Sequence, residues 1–262
     1  MRIIFWILVF ASTVTGVDAQ DFAIVSKVFQ QGQEQPVSET LTIFHGSRVY
    51  DELLDNQQQI SVHDAIANRF HLIDMRRHEQ AVISEDDVLE FVAKVAVTTK
   101  AYEPDQSNVM VRFAAEPTFD TEFDADAMKL TLSSDVWVYE VDVVRPHGEP
   151  DVMVHRYRQF ADWFARLNTL WGHLPPNARM ELNSALAKHK VIPTRVTATI
   201  RNDRGDVILQ QHSEHKIYWK LQLDQQRRYQ DVDEAIESAK YVSFDIFRGR
   251  QIAKAAPKQN RK

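Results

Sequence analysis

Ten histidines in a chain without a single cysteine raise metal chemistry first. The densest group is His212-Ser213-Glu214-His215. Strand-like alternation surrounds it, and residues three apart on a strand point to opposite faces, so the two imidazoles do not converge on one ion. His71-Leu72-Ile73-Asp74 and Arg76-Arg77-His78 meet the same objection, and there is no His-Glu-x-x-His string. The sequence therefore predicts structural or solvated histidines, no metal site and no cofactor. A hydrolytic nucleophile needs a serine on a sharp glycine-flanked turn, or beside a lysine or histidine. His45-Gly46-Ser47 is the nearest string, and it reads better as a hairpin turn. Glycine-rich phosphate loops are absent. Paired carboxylates are the remaining catalytic option. Asp51, Asp55, Asp64, Asp74, Glu140 and Asp142 are candidates, although a solvated outer sheet face accounts for them more simply. The most suggestive set is aromatic: Tyr157, Phe160, Trp163, Phe164 and Trp171 recur at helical spacing, with Trp137 and Tyr139 on a strand as an opposing wall. Such a set is core material, and part of it can also line a pocket for an acyl chain or another apolar ligand.

Those side chains need elements to carry them. Between Val37 and Ile83, short apolar alternations (Leu41 and Ile43, Val49 and Tyr50, Ile60 and Val62, Phe70 and Leu72) are separated by turn chemistry at His45-Gly46-Ser47, Asp55-Asn56, Ala67-Asn68 and Arg76-Arg77-His78. That pattern predicts an antiparallel meander with one face buried. Asp21 to Phe29 reads as a strand before it. At Ser84-Glu85-Asp86-Asp87 the period changes, with an N-cap hydroxyl and first-turn acids opening a core-facing helix through Val88, Phe91, Val92 and Val95. Strands are expected again at Val109 to Phe113, Lys129 to Leu132 and Val136 to Val144, the last placing Trp137, Tyr139, Val141 and Val143 on one face. A helix from about Val154 to Trp171 and a second to about Lys190 follow. A hairpin then pairs Thr194–Arg201 with Val207–Leu221 about Asn202-Asp203-Arg204-Gly205. Asp224 to Ala239 reads as a surface helix capped by Asp224. The class expected is α+β, with a large curved antiparallel sheet, an incomplete barrel, and helices packed on its concave face.

The chain of 262 residues has a net charge of −6, which gives no electrostatic case for nucleic acid. Met1-Arg2, the apolar run Ile3 to Phe10 and Val17-Asp18-Ala19 have the layout of an export signal cleaved after Ala19. Residues 1–19 are thus expected as a signal peptide, 20–247 as one α+β domain and 248–262 as a disordered basic tail. That tail makes any membrane contact peripheral at most. Absence of cysteine excludes disulfides, thiol nucleophiles and a lipid-modified N-terminal cysteine. The address expected is periplasmic or extracellular.

The strand Glu39-Thr40-Leu41-Thr42-Ile43-Phe44 leading into Gly46-Ser47-Arg48-Val49-Tyr50 resembles the lipoprotein-carrier (LolA/LolB-like) superfamily. So do Ile60-Ser61-Val62-His63-Asp64 and Arg69-Phe70-His71-Leu72-Ile73-Asp74. The resemblance covers roughly Asp21 to Val144, and the helix pair Val154 to Lys190 lies outside it. It implies an exported protein whose incomplete curved barrel closes over a helical plug.

The function expected is an exported, non-enzymatic binding protein of the cell envelope. Its partner would be a lipid or another apolar small molecule held between sheet and helix, or a second envelope protein. The alternatives are an envelope hydrolase using sheet-edge carboxylates and a purely structural envelope module.

Overall fold

The structure is a computed structural model and describes residues 20–54, 59–101 and 109–255. The expected signal peptide at 1–19, the turn at Asp55-Asn56 and the last residues of the expected tail, 256–262, lie outside the described residues.

One sheet of twelve strands organises the fold. Six strands run in sequence from the start of the domain: β1 (Phe22–Gln30), β2 (Ser38–His45), β3 (Arg48–Leu53), β4 (Gln59–Asp64), β5 (Arg69–Asp74) and β6 (Glu79–Ser84). Each pairs antiparallel with the next. The turns fall where the sequence placed them, with Gly46 at φ 53°, Asn68 at 50° and His78 at 53°. Two helices follow, α1 (Glu85–Ala101) and α2 (Val109–Ala115). A second meander then carries β7 (Asp120–Asp124), β8 (Lys129–Ser133) and β9 (Trp137–Val144). The helix pair α3 (Pro150–Thr169) and α4 (Asn177–Lys188) comes next, before β10 (Ile192–Arg201) and β11 (Val207–Tyr218). The chain ends with α5 (Leu223–Ser238), β12 (Lys240–Tyr241) and α6 (Phe244–Ala255). The strand order is β12-β6-β5-β4-β3-β2-β1-β11-β10-β9-β8-β7, and the two ends do not meet. All pairs are antiparallel except the short β12 beside β6. The α+β class and the curved, incompletely closed sheet are therefore as expected.

Helices cover both faces of the first meander. Phe22 and Ile24 of β1, Phe44 of β2 and Val49 of β3 turn toward α3 and α4, where they meet Met153, Val154, Tyr157, Ala161, Leu182 and Leu186. Their neighbours along the same strands, Ala23, Ile43 and Tyr50, point the other way, together with Ile60, Val62 and Ile73, and are covered by Val232 and Ala235 of α5. This corrects the expectation of a single buried face. A strand covered on both sides loses its clean alternation, and β5 buries Phe70 through Asp74 without a break. Polar anchors hold α5 down: Arg228 pairs with Glu52, and Asp233 accepts from Arg48 Nη1 at 2.9 Å and the Tyr50 hydroxyl at 3.0 Å. Its N-cap is Gln222 with Gln225 in a capping box, not Asp224.

Three further expectations need correction. Val109 to Phe113 is helical, because α2 packs against α1 and α4 and buries Val109, Ala114 and Ala115. A short apolar run does not distinguish the two periods by itself. Helix α1 opens on the expected box, with the Asp87 N–H donating to Ser84 Oγ at 3.1 Å, but Val88 is its one deeply buried side chain among the described residues. The tail expected to be disordered from Arg248 continues α6 to Ala255, with Phe247 buried, Arg248 5.4 Å from the centre of the Phe91 ring and Arg250 paired with Glu79. No helix among the described residues is long and apolar enough to cross a membrane.

The sheet is fastened to α3 through Phe70, which is fully buried and meets Trp163 and Phe164 edge-on at 6.2 and 5.9 Å. Phe70→Ala should therefore lower the free energy of unfolding by about 3–5 kcal/mol, measured by urea denaturation. A loss below about 1 kcal/mol would show that this junction contributes little.

Candidate functional site

The face of the sheet under α3 carries a polar stripe across strands that are otherwise apolar there. On β1 the inward series reads Phe22, Ile24, Ser26, and on β2 it reads Phe44, Thr42, Thr40. Asp51 of β3 stands beside Thr42, and His215 of β11 stands beside Ser26. Two alanines of α3, Ala161 and Ala165, face this stripe where larger residues would have filled the gap. Small side chains on both walls leave a cavity of about 320 Å³. Phe160, Phe164 and Ile24 give it apolar surface, and Asp51, His215 and Arg179 of α4 give it polar surface.

The hydrogen bonds inside are short, two of them cross-strand and one within β11. His215 Nδ1 lies 2.8 Å from Ser26 Oγ, and its Nε2 lies 2.9 Å from Ser213 Oγ. The Thr42 hydroxyl donates to Asp51 Oδ1 at 2.6 Å. Burial, reinforced by the nearby Arg179 charge, pushes the His215 imidazole down to about 3. It is neutral at ordinary pH, with one ring nitrogen donating and the other accepting. Burial pushes the Asp51 carboxyl up to about 6, against the opposing effect of the Thr42 bond, and the Glu52 charge adds to the rise. Arg179 makes one long contact, Nη2 to the Tyr157 hydroxyl at 3.4 Å, and no carboxylate among the described residues lies within 4 Å of it.

The seven aromatic candidates divide. Tyr157, Phe160 and Phe164 line the cavity. Trp137 and Tyr139 are buried to 7% and 5% exposure in the same core as Tyr157 and Ala161 of α3, packed on Phe113 and Phe119, and do not line the cavity. Trp163 packs on His63 and Phe70, and Trp171 packs on Phe244. Of the candidate carboxylates, only Asp51 reaches the cavity. Asp64 binds Arg48, Asp74 caps its own turn at Arg77, Glu140 is exposed and Asp142 faces Lys129 at 3.9 Å. Asp55 lies outside the described residues. Sequence reasoning missed Ser26, Thr40, Thr42, Arg179 and the role of His215. The available signal was a serine and two threonines in phase with Phe22 and Phe44.

A second cavity of about 470 Å³ adjoins the first across Phe160 and is lined by Gly46, His63, Asp151 and Arg156 among others. Its charges are already answered. Arg156 donates to the Gln20 and Gly46 carbonyls and lies over Phe22 and Phe44, His63 pairs with Glu85 at 2.7 Å, and Asp151 pairs with Lys190. The smaller cavity is therefore the candidate site. No group of three or more potential metal ligands occurs among the described residues. A single lining carboxylate gives two-carboxylate hydrolysis no second acid. An imidazole so reluctant to take a proton is also a weak general base for Ser26.

The two shifted groups pull stability in opposite directions with pH. Asp51, raised from 3.8 to about 6, keeps a proton that the unfolded chain has released; its contribution is full below pH 4 and lost by about pH 6. His215, lowered from 6.5 to about 3, refuses a proton that the unfolded chain accepts, so it costs stability as pH falls through that range. Their slopes cancel between about pH 4 and 6. His215→Gln should gain stability as pH drops across that window, and Asp51→Asn should lose it. Urea denaturation at pH 4, 5 and 6, roughly spanning the two transitions, checks this, and parallel profiles for both variants would contradict it.

No protein-family model matches the chain, and neither does any curated protein. Among solved structures, an uncharacterized conserved protein from Thermus thermophilus is similar at a TM-score of 0.34 and 10% sequence identity, over 86% of this chain and 91% of that one. A likeness this distant carries no functional implication.

Proposed function

We propose that this is an exported, non-enzymatic binding protein of the cell envelope that holds a small amphiphilic ligand between α3 and the sheet. The observation that carries this is the cavity itself: about 320 Å³, lined by Phe160 and Phe164 of α3, by Ile24, Asp51 and His215 of the sheet and by Arg179 of α4. Its volume is at the lower end of small-molecule sites. A few convergent polar groups in an otherwise apolar lining suit a ligand with one greasy and one polar end. Export rests on the layout of Met1 to Ala19. The resemblance of Asp21 to Val144 to lipoprotein carriers supports the same reading.

Native mass spectrometry of protein purified from its own envelope, with titration of a fluorescent short-chain fatty acid, tests the proposal. Wild type should take up the probe. Ala165→Leu, which adds bulk at the half-buried edge of the cavity, should weaken uptake about tenfold or more while leaving the fold intact by circular dichroism. Failure of the folded wild type to take up any amphiphile would remove the reading.

A further inference from the structure

We propose that the Arg179 end of the cavity recognises an anionic head group, a carboxylate or phosphate ester, and that Ser26 donates to it through a hydrogen-bond relay with His215 and Ser213. This deepens the binding reading above and rests on it. Arg179 is half-buried on α4, lines the cavity, and has the Tyr157 hydroxyl as its only partner among the described residues, at 3.4 Å. A guanidinium presents five donors in a planar fork suited to a carboxylate or phosphate, and most of them are unspent here. The cavity's other basic side chain is neutral, so Arg179 supplies its only positive charge. Asp51 lies in the same cavity with its Oδ1 taken by Thr42. It makes no ion pair with Arg179.

The relay follows from donor counting. His215 sits between two serine hydroxyls, 2.8 Å from Ser26 Oγ at Nδ1 and 2.9 Å from Ser213 Oγ at Nε2. If the ring proton is on Nε2, Ser26 must give its proton to Nδ1, and it shows only lone pairs to the cavity. If the proton is on Nδ1, Ser26 accepts from the ring, its own O–H is free to donate to an anion, and Ser213 donates to Nε2. Binding of an anion therefore selects the Nδ1–H tautomer. No atom is transferred between molecules; the exchange is a reorientation of hydroxyls and one ring proton.

Calorimetric titration of the full mature chain with octanoate, octyl phosphate, octanol, octyltrimethylammonium and inorganic phosphate tests the head-group claim. Octanoate or octyl phosphate should bind about tenfold or more tighter than octanol, as expected when a charge-assisted bond replaces a neutral one. Arg179→Met should erase that margin without weakening octanol, and Arg179→Lys should recover part of it. Nitrogen-15 NMR of His215 should show the Nδ1–H form on octanoate binding, and Ser26→Ala should abolish this change. Equal affinity for octanoate and octanol, or an Arg179→Met variant that retains the margin, would overturn the head-group inference and leave the binding reading standing. Failure of every amphiphile to bind would remove both. Inorganic phosphate binding as tightly as octyl phosphate would keep Arg179 as an anion site and remove the amphiphile.

Discussion

The pairing of β1 with β11 is the constraint on which the rest of the structure depends. Eight residue pairs, from Ala23–Tyr218 to Gln30–Gln211, join two meanders that would otherwise be separate sheets. The candidate site straddles that seam. Ser26 and His215 are direct cross-strand neighbours, so a slip of one residue would turn one of the two to the opposite face. Neither half-sheet contains the site alone: Asp51, Thr40 and Thr42 belong to one, and His215 belongs to the other.

Covering the first meander on both faces explains why so polar a stripe is tolerated. The helix α5 seals the far side with Val232 and Ala235 against Ala23, Ile43 and Tyr50, so α3 need not pack tightly at every level of the near side. The alanines of α3 use that freedom. At its two ends α3 is held by large contacts, Arg156 over Phe22 and Phe44 toward its start and Trp163 and Phe164 on Phe70 further along. Ala161 and Ala165 lie among these anchors, and the gap they leave is bordered by the Ser26 and Thr42 hydroxyls, each bonded to a side chain of the next strand. Buried polar groups are stable when bonded, and here each strand supplies its neighbour's partner.

Hairpins and the long helices were legible because their signals are local. Asn68, His78 and Gly205 adopt the left-handed conformations their turns require, and α3 shows its period over twenty residues. What was not legible depends on distant pairing. Val109 to Ala115 is too short for its period to be read, and only contact with α1 and α4 makes it a helix. Leu41 and Ile43 were visible as an apolar face, but the cover for Ile43 comes from α5, nearly two hundred residues later. His212 and His215 stand three apart on β11, with their side chains on opposite faces, as strand geometry requires. The partner His215 does have, Ser26, lies 189 residues away, and no local pattern announces it.

The place of β1 in the sheet has a consequence for biogenesis. Its first neighbour, β2, emerges from the ribosome almost at once, but its second is nearly the last strand to be made. Throughout synthesis the growing half-sheet must present an open, hydrogen-bond-hungry margin to its surroundings. A chaperone that shields the nascent chain would have most to protect along Phe22–Gln30, and truncation before β11 would leave a sticky remnant.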